Sequence, residues 1–329
     1  MGPLNGPDPA VVARGVGYRY PSGRTGLRPL DFSARPGEIV AVLGPNGSGK
    51  STLLRLLATD LRPSTGSLAL LGRPVRGSLA RIRRRIGYAP DTPVHFGVLT
   101  GRENAERFHR MVPGPAADAV PALLRAFDLA EESDVPVSEY SYGMRRKLLL
   151  VEALSFAPRL AVLDEPAVGL DPRGVSALRD AVSALRGTGG CVVIASNEVR
   201  EVPLWSDRVV FLHRGRIVEA APLADLLARL AGHTRIEVGL EDAAPGPWLG
   251  RLAEVRGVAG ATPTPEGAVI ESPAGTEPLP ALLEVLLEAK CRVRSVRVRS
   301  PDLGDLFEAL TGERLGERRS PPARGETGG

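Results

Sequence analysis

The sequence predicts an α/β protein built on a parallel sheet with helices on both faces, followed by a smaller α+β domain. Three observations carry this prediction. Short apolar runs alternate with helical patterns from about residue 10 to about residue 230, the order that a doubly covered parallel sheet requires. One of those runs, Ile39-Val40-Ala41-Val42-Leu43, leads directly into Gly44-Pro45-Asn46-Gly47-Ser48-Gly49-Lys50-Ser51-Thr52. That is the pattern G-x-x-x-x-G-K-[ST] in its required setting, buried strand before and helix after. Near residue 231 the order changes to strand, helix, strand, strand, helix, strand, the split βαβ arrangement of a ferredoxin-like fold.

Taken in order, Val11 to Tyr20 and Leu30 to Ala34 read as strands separated by the turn residues Pro21-Ser22-Gly23. After the glycine-rich loop comes a helix from Thr52 to Ala58, then strands at Ser67 to Leu71 and Ile86 to Ala89, the latter stopped by Pro90. Glu103 to Met111, Val120 to Phe127 and Arg145 to Phe156 have helical periodicity. Strand Leu160 to Leu163, helix Val175 to Leu185, strand Cys191 to Ala195, a further helix, and two short strands around Arg214-Gly215 complete the first domain. In the second, Arg235 to Leu240, Val258 to Thr262, Ala268 to Glu271 and Arg292 to Arg299 are strands. Trp248 to Val255 and Leu279 to Ala289 are its helices, and a short helix at Leu303 to Leu310 follows. The expected organisation is therefore a disordered start at 1–9, a first domain at 10–230, a second at 231–312, and a polar, disordered tail at 313–329.

The bulk numbers agree. A chain of 329 residues suits two domains, and 43% apolar content with mixed charge is that of a globular protein. No apolar run reaches the roughly 18 residues needed to span a bilayer. The best candidate, Leu148 to Leu163, is interrupted by Glu152, Pro158 and Arg159. Met1 to Ala10 lacks the charged-then-apolar pattern of a signal peptide. The expected location is the cytoplasm, peripheral on the inner face of the plasma membrane. Cys191 and Cys291 stand alone and read as free thiols. A net charge of +4, with no basic block interleaved with aromatics, argues against a nucleic-acid partner. Of 42 basic residues only Lys50, Lys147 and Lys290 are lysine. One of the three falls in the glycine-rich loop, where a compact ammonium differs from a planar guanidinium.

The loop's chemistry follows from its spacing. Gly44, Gly47 and Gly49 let the chain curl so that amides, those around Asn46 and Ser48 included, point inward at phosphate oxygens. The next helix adds its positive end through Ser51 and Thr52. Lys50 supplies a cation for the outer phosphates, and the Ser51 hydroxyl is placed to bind Mg²⁺. Nucleoside triphosphate binding is the expectation. Residues 160 to 166, Leu-Ala-Val-Leu-Asp-Glu-Pro, put Asp164 and Glu165 at a strand's C-terminal end, where open α/β sheets bind ligands. Asp164 would hold Mg²⁺, and Glu165 would polarise the attacking water as general base.

Glu139-Tyr140-Ser141-Tyr142-Gly143-Met144-Arg145-Arg146-Lys147 opens a long helix with Ser141 as its natural N-cap. This stretch resembles the signature motif of the ATPase subunits of ABC transporters. Gly169-Leu170-Asp171-Pro172 is similar to that family's D-loop, and Ser206-Asp207-Arg208-Val209 and Gly215-Arg216-Ile217 to its closing strands. The resemblance spans roughly residues 10 to 230. It implies a P-loop NTPase domain, a RecA-like parallel sheet with antiparallel β and helical subdomains, using ATP and Mg²⁺. It also implies a head-to-tail dimer, homodimer or heterodimer, in which Ser141 and Gly143 of one subunit, with Asp171, close over the ATP held by the other. Tyr20 sits where the family stacks an aromatic on adenine, with Tyr18 as the alternative. The ending Pro301-Asp302-Leu303-Gly304-Asp305-Leu306-Phe307-Glu308-Ala309-Leu310-Thr311-Gly312 resembles multidrug- and polysaccharide-type exporter ATPases, as does Leu99-Thr100-Gly101-Arg102-Glu103-Asn104. Those pair with a separate integral-membrane permease of about six helices.

Three positions depart from the family pattern. Asp91 stands where Gln is usual, Asn197 where a switch histidine is usual, and Tyr142 where Gly is common. Asp91 can still bind Mg²⁺, but adds negative charge near the outer phosphate. Asn197 can donate to an oxygen but cannot carry a proton charge. The expected function is an ATP-hydrolysing exporter motor whose hydrolysis is slowed by Asp91 and Asn197, with Glu165 retained. The alternative is a regulatory subunit that clamps a more active partner by binding ATP. DNA-repair and translation ATPases with the same sandwich fit poorly, since the chain has neither long coiled coils nor two tandem ATPase units.

Overall fold

The computed structural model describes residues 8–77, 79–111, 119–199, 202–230, 234–241, 246–313 and 315. Packing divides the chain into one unit that runs to Leu223 and a second that spans Ala224–Arg314. The expected disordered ends, 1–9 and 313–329, lie almost wholly outside the described residues.

The first unit begins with β1 (Val11–Arg19), β2 (Thr25–Ala34), β3 (Ile39–Leu43), α1 (Lys50–Leu57), β4 (Thr65–Leu70), β5 (Arg73–Pro74), α2 (Ala80–Arg83) and β6 (Ile86–Ala89). It continues with α3 (Gly101–Met111), α4 (Ala119–Ala126), α5 (Tyr142–Leu154), β7 (Leu160–Asp164), α6 (Pro172–Gly187), β8 (Cys191–Ser196), β9 (Arg208–His213) and β10 (Arg216–Pro222). β2, β1, β4 and β5 form an antiparallel sheet in that order. The central sheet runs β10-β9-β3-β8-β7-β6. Its strands from β9 to β6 are parallel, and β10 pairs antiparallel at the edge.

The central strands are buried on both faces, and alternate residues serve different cores. Val40, Val42, Val162, Cys191, Val193 and Ala195 join α1 and the antiparallel sheet in one cluster. Ile39, Ala161, Leu163, Val192 and Ile194 pack against residues of α3 to α6 in another. The arrangement brings four strand ends into line: β3, β8, β7 and β6 are neighbours, with Leu43 opposite Ser196, Asp164 opposite Ala195 and Ala89 opposite Leu163. The glycine-rich loop, Asp91, Asp164, Glu165 and Asn197 lie at or just beyond these ends.

Several boundaries differ from expectation. The helix after the glycine-rich loop starts at Lys50, not Thr52, because Gly49 is its N-cap. β2 begins at Thr25, ahead of the apolar stretch, because pairing with β1 rather than hydrophobicity sets its length. The helix expected after β8 is a single 3₁₀ turn over Val202–Trp205. A helix left unassigned by the sequence, α7 (Leu223–Leu230), follows β10.

The second unit contains β11 (Thr234–Leu240), α8 (Trp248–Ala253), β12 (Gly260–Thr264), β13 (Gly267–Ser272), α9 (Leu279–Glu288), β14 (Val293–Arg299) and α10 (Leu303–Thr311). Its sheet order is β12-β13-β11-β14 with antiparallel neighbours throughout, the split βαβ topology. Ile236, Val238, Leu240 and Ile270 pack against Trp248, Leu252, Leu282 and Leu286 to form a separate core. α10 is closed at its start by a capping box between Asp302 and Asp305.

Cys191 is buried in the central sheet, and burial pushes its thiol up to about 12. Cys291 is partly exposed. At pH 8 an alkylating reagent should modify one thiol per native chain, Cys291, and the second only after denaturation. Equal rates for both thiols in the native protein, read by mass spectrometry, would contradict this packing.

Candidate active site

The glycine-rich loop joins the fully buried β3 to α1. Gly49 has φ 110°, a conformation that side-chain-bearing residues rarely adopt. No side chain caps α1, and no acidic residue lies in its first turn, so its first amides keep their demand for an acceptor. Asn46, Gly47 and Ser51 are exposed at the mouth, whereas Gly44, Ser48 and Thr52 are buried. The Lys50 ammonium, 6% exposed, donates to the carbonyls of Gly44 at 2.7 Å and Pro45 at 3.4 Å and lies 3.6 Å from Glu165 Oε1. Burial pulls its pKa down, while Glu165 and Asp164 hold it up.

Asp164 ends β7 and is buried. Burial pushes its carboxyl up, opposed by a hydrogen bond from the Ser51 side chain and raised further by Asp91. Its Oδ1 is buried and has no hydrogen-bond partner among the described residues, as is true of Ser48 Oγ. A carboxylate oxygen without a partner beside a serine hydroxyl is the hard-oxygen donor set that suits Mg²⁺, so these residues fit the ion. Glu165 takes φ 47°, the left-handed region, and precedes Pro166. Burial pushes its carboxyl up, and Lys50 and the Asn197 amide oppose this. The Asn197 N–H, just beyond β8, donates to Glu165 Oε2 at 3.2 Å, and the Glu165 N–H donates to Ala195 O at 2.9 Å. Asn197 therefore reaches Glu165 through its main chain, a contact that does not depend on the side chain at that position.

Tyr20 shares a 2.8 Å hydrogen bond with Thr52 Oγ1, which anchors its ring to the first turn of α1. Tyr18 meets it edge-on at 4.9 Å, and the Arg24 guanidinium lies over the ring, 4.7 Å from its centroid. The aromatic expected at the nucleotide base is thus beside the phosphate loop. Asp91 is exposed, one residue past Pro90 at the end of β6.

Ser141, Gly143 and Asp171 form a second cluster around the start of α5. Ser141 caps that helix by accepting Met144 N–H at 3.2 Å. Asp171 caps α6 by accepting Gly174 N–H at 2.6 Å and pairs with Lys147 Nζ at 2.8 Å, which holds its carboxyl below the usual range. A Cβ on Gly143 would come within 3.1 Å of Gly169 O, and one on Gly169 within 2.7 Å of the Tyr142 ring. Asp171, expected at the nucleotide, is thus engaged within its own chain as a helix cap and ion-pair partner.

Sequence reasoning gave no role to three groups. Arg146, 2% exposed, lies at the inner side of α5, where its guanidinium reaches main-chain carbonyls at the ends of β6 and β7. The side chains of His95 and Glu152 are buried together: Nδ1 lies 3.1 Å from Glu152 Oε1, and Nε2 lies 3.0 Å from Arg145 O. A carbonyl cannot donate, so Nε2 carries a hydrogen. Asn104 binds Phe96 on both sides, accepting its N–H at 3.0 Å and donating to its carbonyl at 3.1 Å. The only sequence signal for them was a charged or polar side chain inside or facing an apolar helix, which does not distinguish a buried partner from a solvated face.

A model of the family described as ABC transporter matches residues 27–168. The Daunorubicin resistance ATP-binding protein DrrA3 of Streptomyces coeruleorubidus is 34% identical over 311 residues, covering 93% of this chain and 97% of the relative. The Nod factor export ATP-binding protein I of Ralstonia nicotianae is 30% identical, covering 95% of this chain and 97% of the relative. Among solved structures, one described as the ATP binding subunit of an ABC transporter aligns with TM-score 0.62 and 27% identity over 67% of this chain and 92% of its own.

Gly169→Ala should destabilise the first unit by about 1–3 kcal/mol, since Gly169 has φ 79° and the Tyr142 ring fills the space. Tyr142→Gly in the same chain should return part of that loss. Urea unfolding measures both, and a neutral Gly169→Ala would mean that the ring moves aside freely.

Proposed function

Because the chain belongs to the ABC transporter ATP-binding family, we propose that it is the ATP-hydrolysing subunit of an exporter and couples ATP-driven dimer closure to transport through a separate membrane permease. The observation that carries the reading is Lys50, held by its own loop's carbonyls 3.6 Å from Glu165 at the start of an uncapped helix.

The residues divide the work as follows. Lys50 turns from the Gly44 and Pro45 carbonyls to outer phosphate oxygens, which are stronger acceptors. The first amides of α1 receive the remaining phosphate charge. Tyr20 stacks on the base. Ser51 and Asp164, with Asp91 nearby, would hold Mg²⁺, which when bound supplies neutralising charge at the phosphate oxygens. Glu165 accepts a proton from the attacking water, its carboxylate aimed by the Asn197 amide. Ser141 and Gly143 present the start of α5 to the ATP of a second subunit, a homodimer or heterodimer partner. Each chain has one phosphate loop and one such helix, so two chains complete two sites.

Asp91 and Asn197 support slow hydrolysis. One adds negative charge beside Asp164, and the other lacks the proton charge of a histidine. Loss of one preorganised donor lowers a rate by about 10²–10³. The alternative, a regulatory subunit that binds ATP to clamp a more active partner, rests on the same two residues. Glu165, still held by a main-chain amide, favours the hydrolase.

The segment after Asp91 supports the permease. Val94, Phe96 and Val98 are 76%, 48% and 88% exposed, an unusual concentration of apolar surface in a short segment. Beside them Leu99, Glu103, Arg107 and Arg110 line a groove of about 300 Å³. No helix among the described residues is long and apolar enough to cross a membrane, and the exposed apolar surface supports a position at the inner membrane face. The relatives' names, drug resistance and Nod factor export, support an exported substrate.

Lys50→Ala should abolish the heat of Mg-ATP binding in calorimetry while leaving the unfolding transition in place; undiminished binding would remove the proposed site. Asp91→Gln combined with Asn197→His should accelerate single-turnover hydrolysis by tenfold or more, roughly. A double variant no faster than the native chain would discard the slow-site reading.

A further inference from the structure

Arg146 heads the largest fully buried side chains of the described structure. Its guanidinium meets main-chain carbonyls alone. Nη1 donates to Pro90 O at 2.9 Å and Asp91 O at 2.6 Å, and Nη2 to Asp164 O at 3.3 Å and Glu165 O at 2.5 Å. Nε has no partner among the described residues. One side chain of α5 thus forks between the end of β6 and the end of β7.

The carbonyl of Glu165 is where such a donor matters. Glu165 has φ 47° and is followed by proline, a combination that a residue with a side chain adopts only when its surroundings impose it. Its N–H is held by Ala195 O and its carboxylate by the Asn197 amide and Lys50. Its carbonyl accepts from Arg146 at 2.5 Å and, more weakly, from the Val168 N–H at 3.2 Å.

We propose that Arg146 is the positioning residue for Glu165, fixing the main chain so that the carboxylate faces the water-attack site, and that the same fork ties this geometry to the Pro90–Asp91 strand end. The proposal rests on Glu165 as general base. An apolar replacement takes this donor from the Pro90, Asp91 and Asp164 carbonyls and leaves the Glu165 carbonyl held by the Val168 N–H alone, so the Glu165 backbone can relax. The carboxylate then loses its register with the Asn197 amide, while the phosphate loop, held by β3 and α1, is unchanged. A purely structural arginine would instead lower stability and ATP affinity together.

The full chain is compared as native, Arg146→Met, Arg146→Lys and Glu165→Gln, with single-turnover hydrolysis at saturating Mg-ATP, Mg-ATP affinity by calorimetry and thermal unfolding. Arg146→Met should slow hydrolysis by about 30-fold or more with affinity within about threefold of native. Arg146→Lys, which keeps a cation and donors, should fall between the two. If Arg146→Met does not fold, Arg146→Lys decides: a rate loss of about fivefold or more at native affinity supports the proposal. Native rates in the folded variants, or affinity weakened by the same factor as rate, overturn it. An undiminished rate in Glu165→Gln overturns the general-base reading as well, whereas a slow Glu165→Gln beside fast Arg146 variants overturns the positioning role alone.

Discussion

The buried contact of one guanidinium with four carbonyls ties together the ends of β6 and β7, on which the acidic half of the site depends. Parallel strands that end together leave main-chain groups that their sheet no longer pairs, and groups buried there need a donor. Arg146 satisfies Pro90 and Asp91 on one side and Asp164 and Glu165 on the other. It comes from α5, whose first turn carries Ser141 and Gly143. The helix that starts at Ser141 and the carboxylates at the end of β7 are therefore fastened to one another by a side chain that cannot lose its charge under ordinary conditions.

Around that contact the site holds charge away from water. Lys50, Asp164 and Glu165 are buried or nearly so, and burial moves each towards its neutral form while neighbours of opposite charge oppose it. Such groups gain from a ligand of opposite charge more than exposed ones do, because the desolvation is already in place. The orphaned oxygens of Asp164 and Ser48 and the uncapped start of α1 are likewise polar groups left without a partner among the described residues.

The segment from Asp91 to Thr100 joins the site to the outward apolar surface and is held at three points. Arg146 takes its first carbonyls, His95 enters α5 at Glu152 and Arg145, and Asn104 closes on Phe96, Leu99 and Thr100. Burial pushes Glu152 up and His95 counters it. With inward residues pinned, Val94, Phe96 and Val98 are left facing outward.

Much of this was legible in the sequence because it depends on local rules. The strand-loop-helix pattern located Gly44 to Thr52, an apolar strand ending in two acids located Asp164 and Glu165, and strand and helix order predicted the split βαβ unit. What proved illegible was long-range. The early start of β2 is set by its pairing with β1, and Arg146, His95 and Asn104 show no pattern until their partners are beside them. Asn197 looked like a lost side chain, yet its contribution is a main-chain amide. The amino-acid order by itself determined which backbone can cradle phosphate and which residues carry charge, since both follow from glycine content and residue type over a few positions. Only the tertiary structure decided which strand ends stand side by side, and hence that a guanidinium 18 residues before Asp164 holds the carboxylate pair, because hydrogen-bond reach of about 3 Å is a property of packed space and not of distance along the chain.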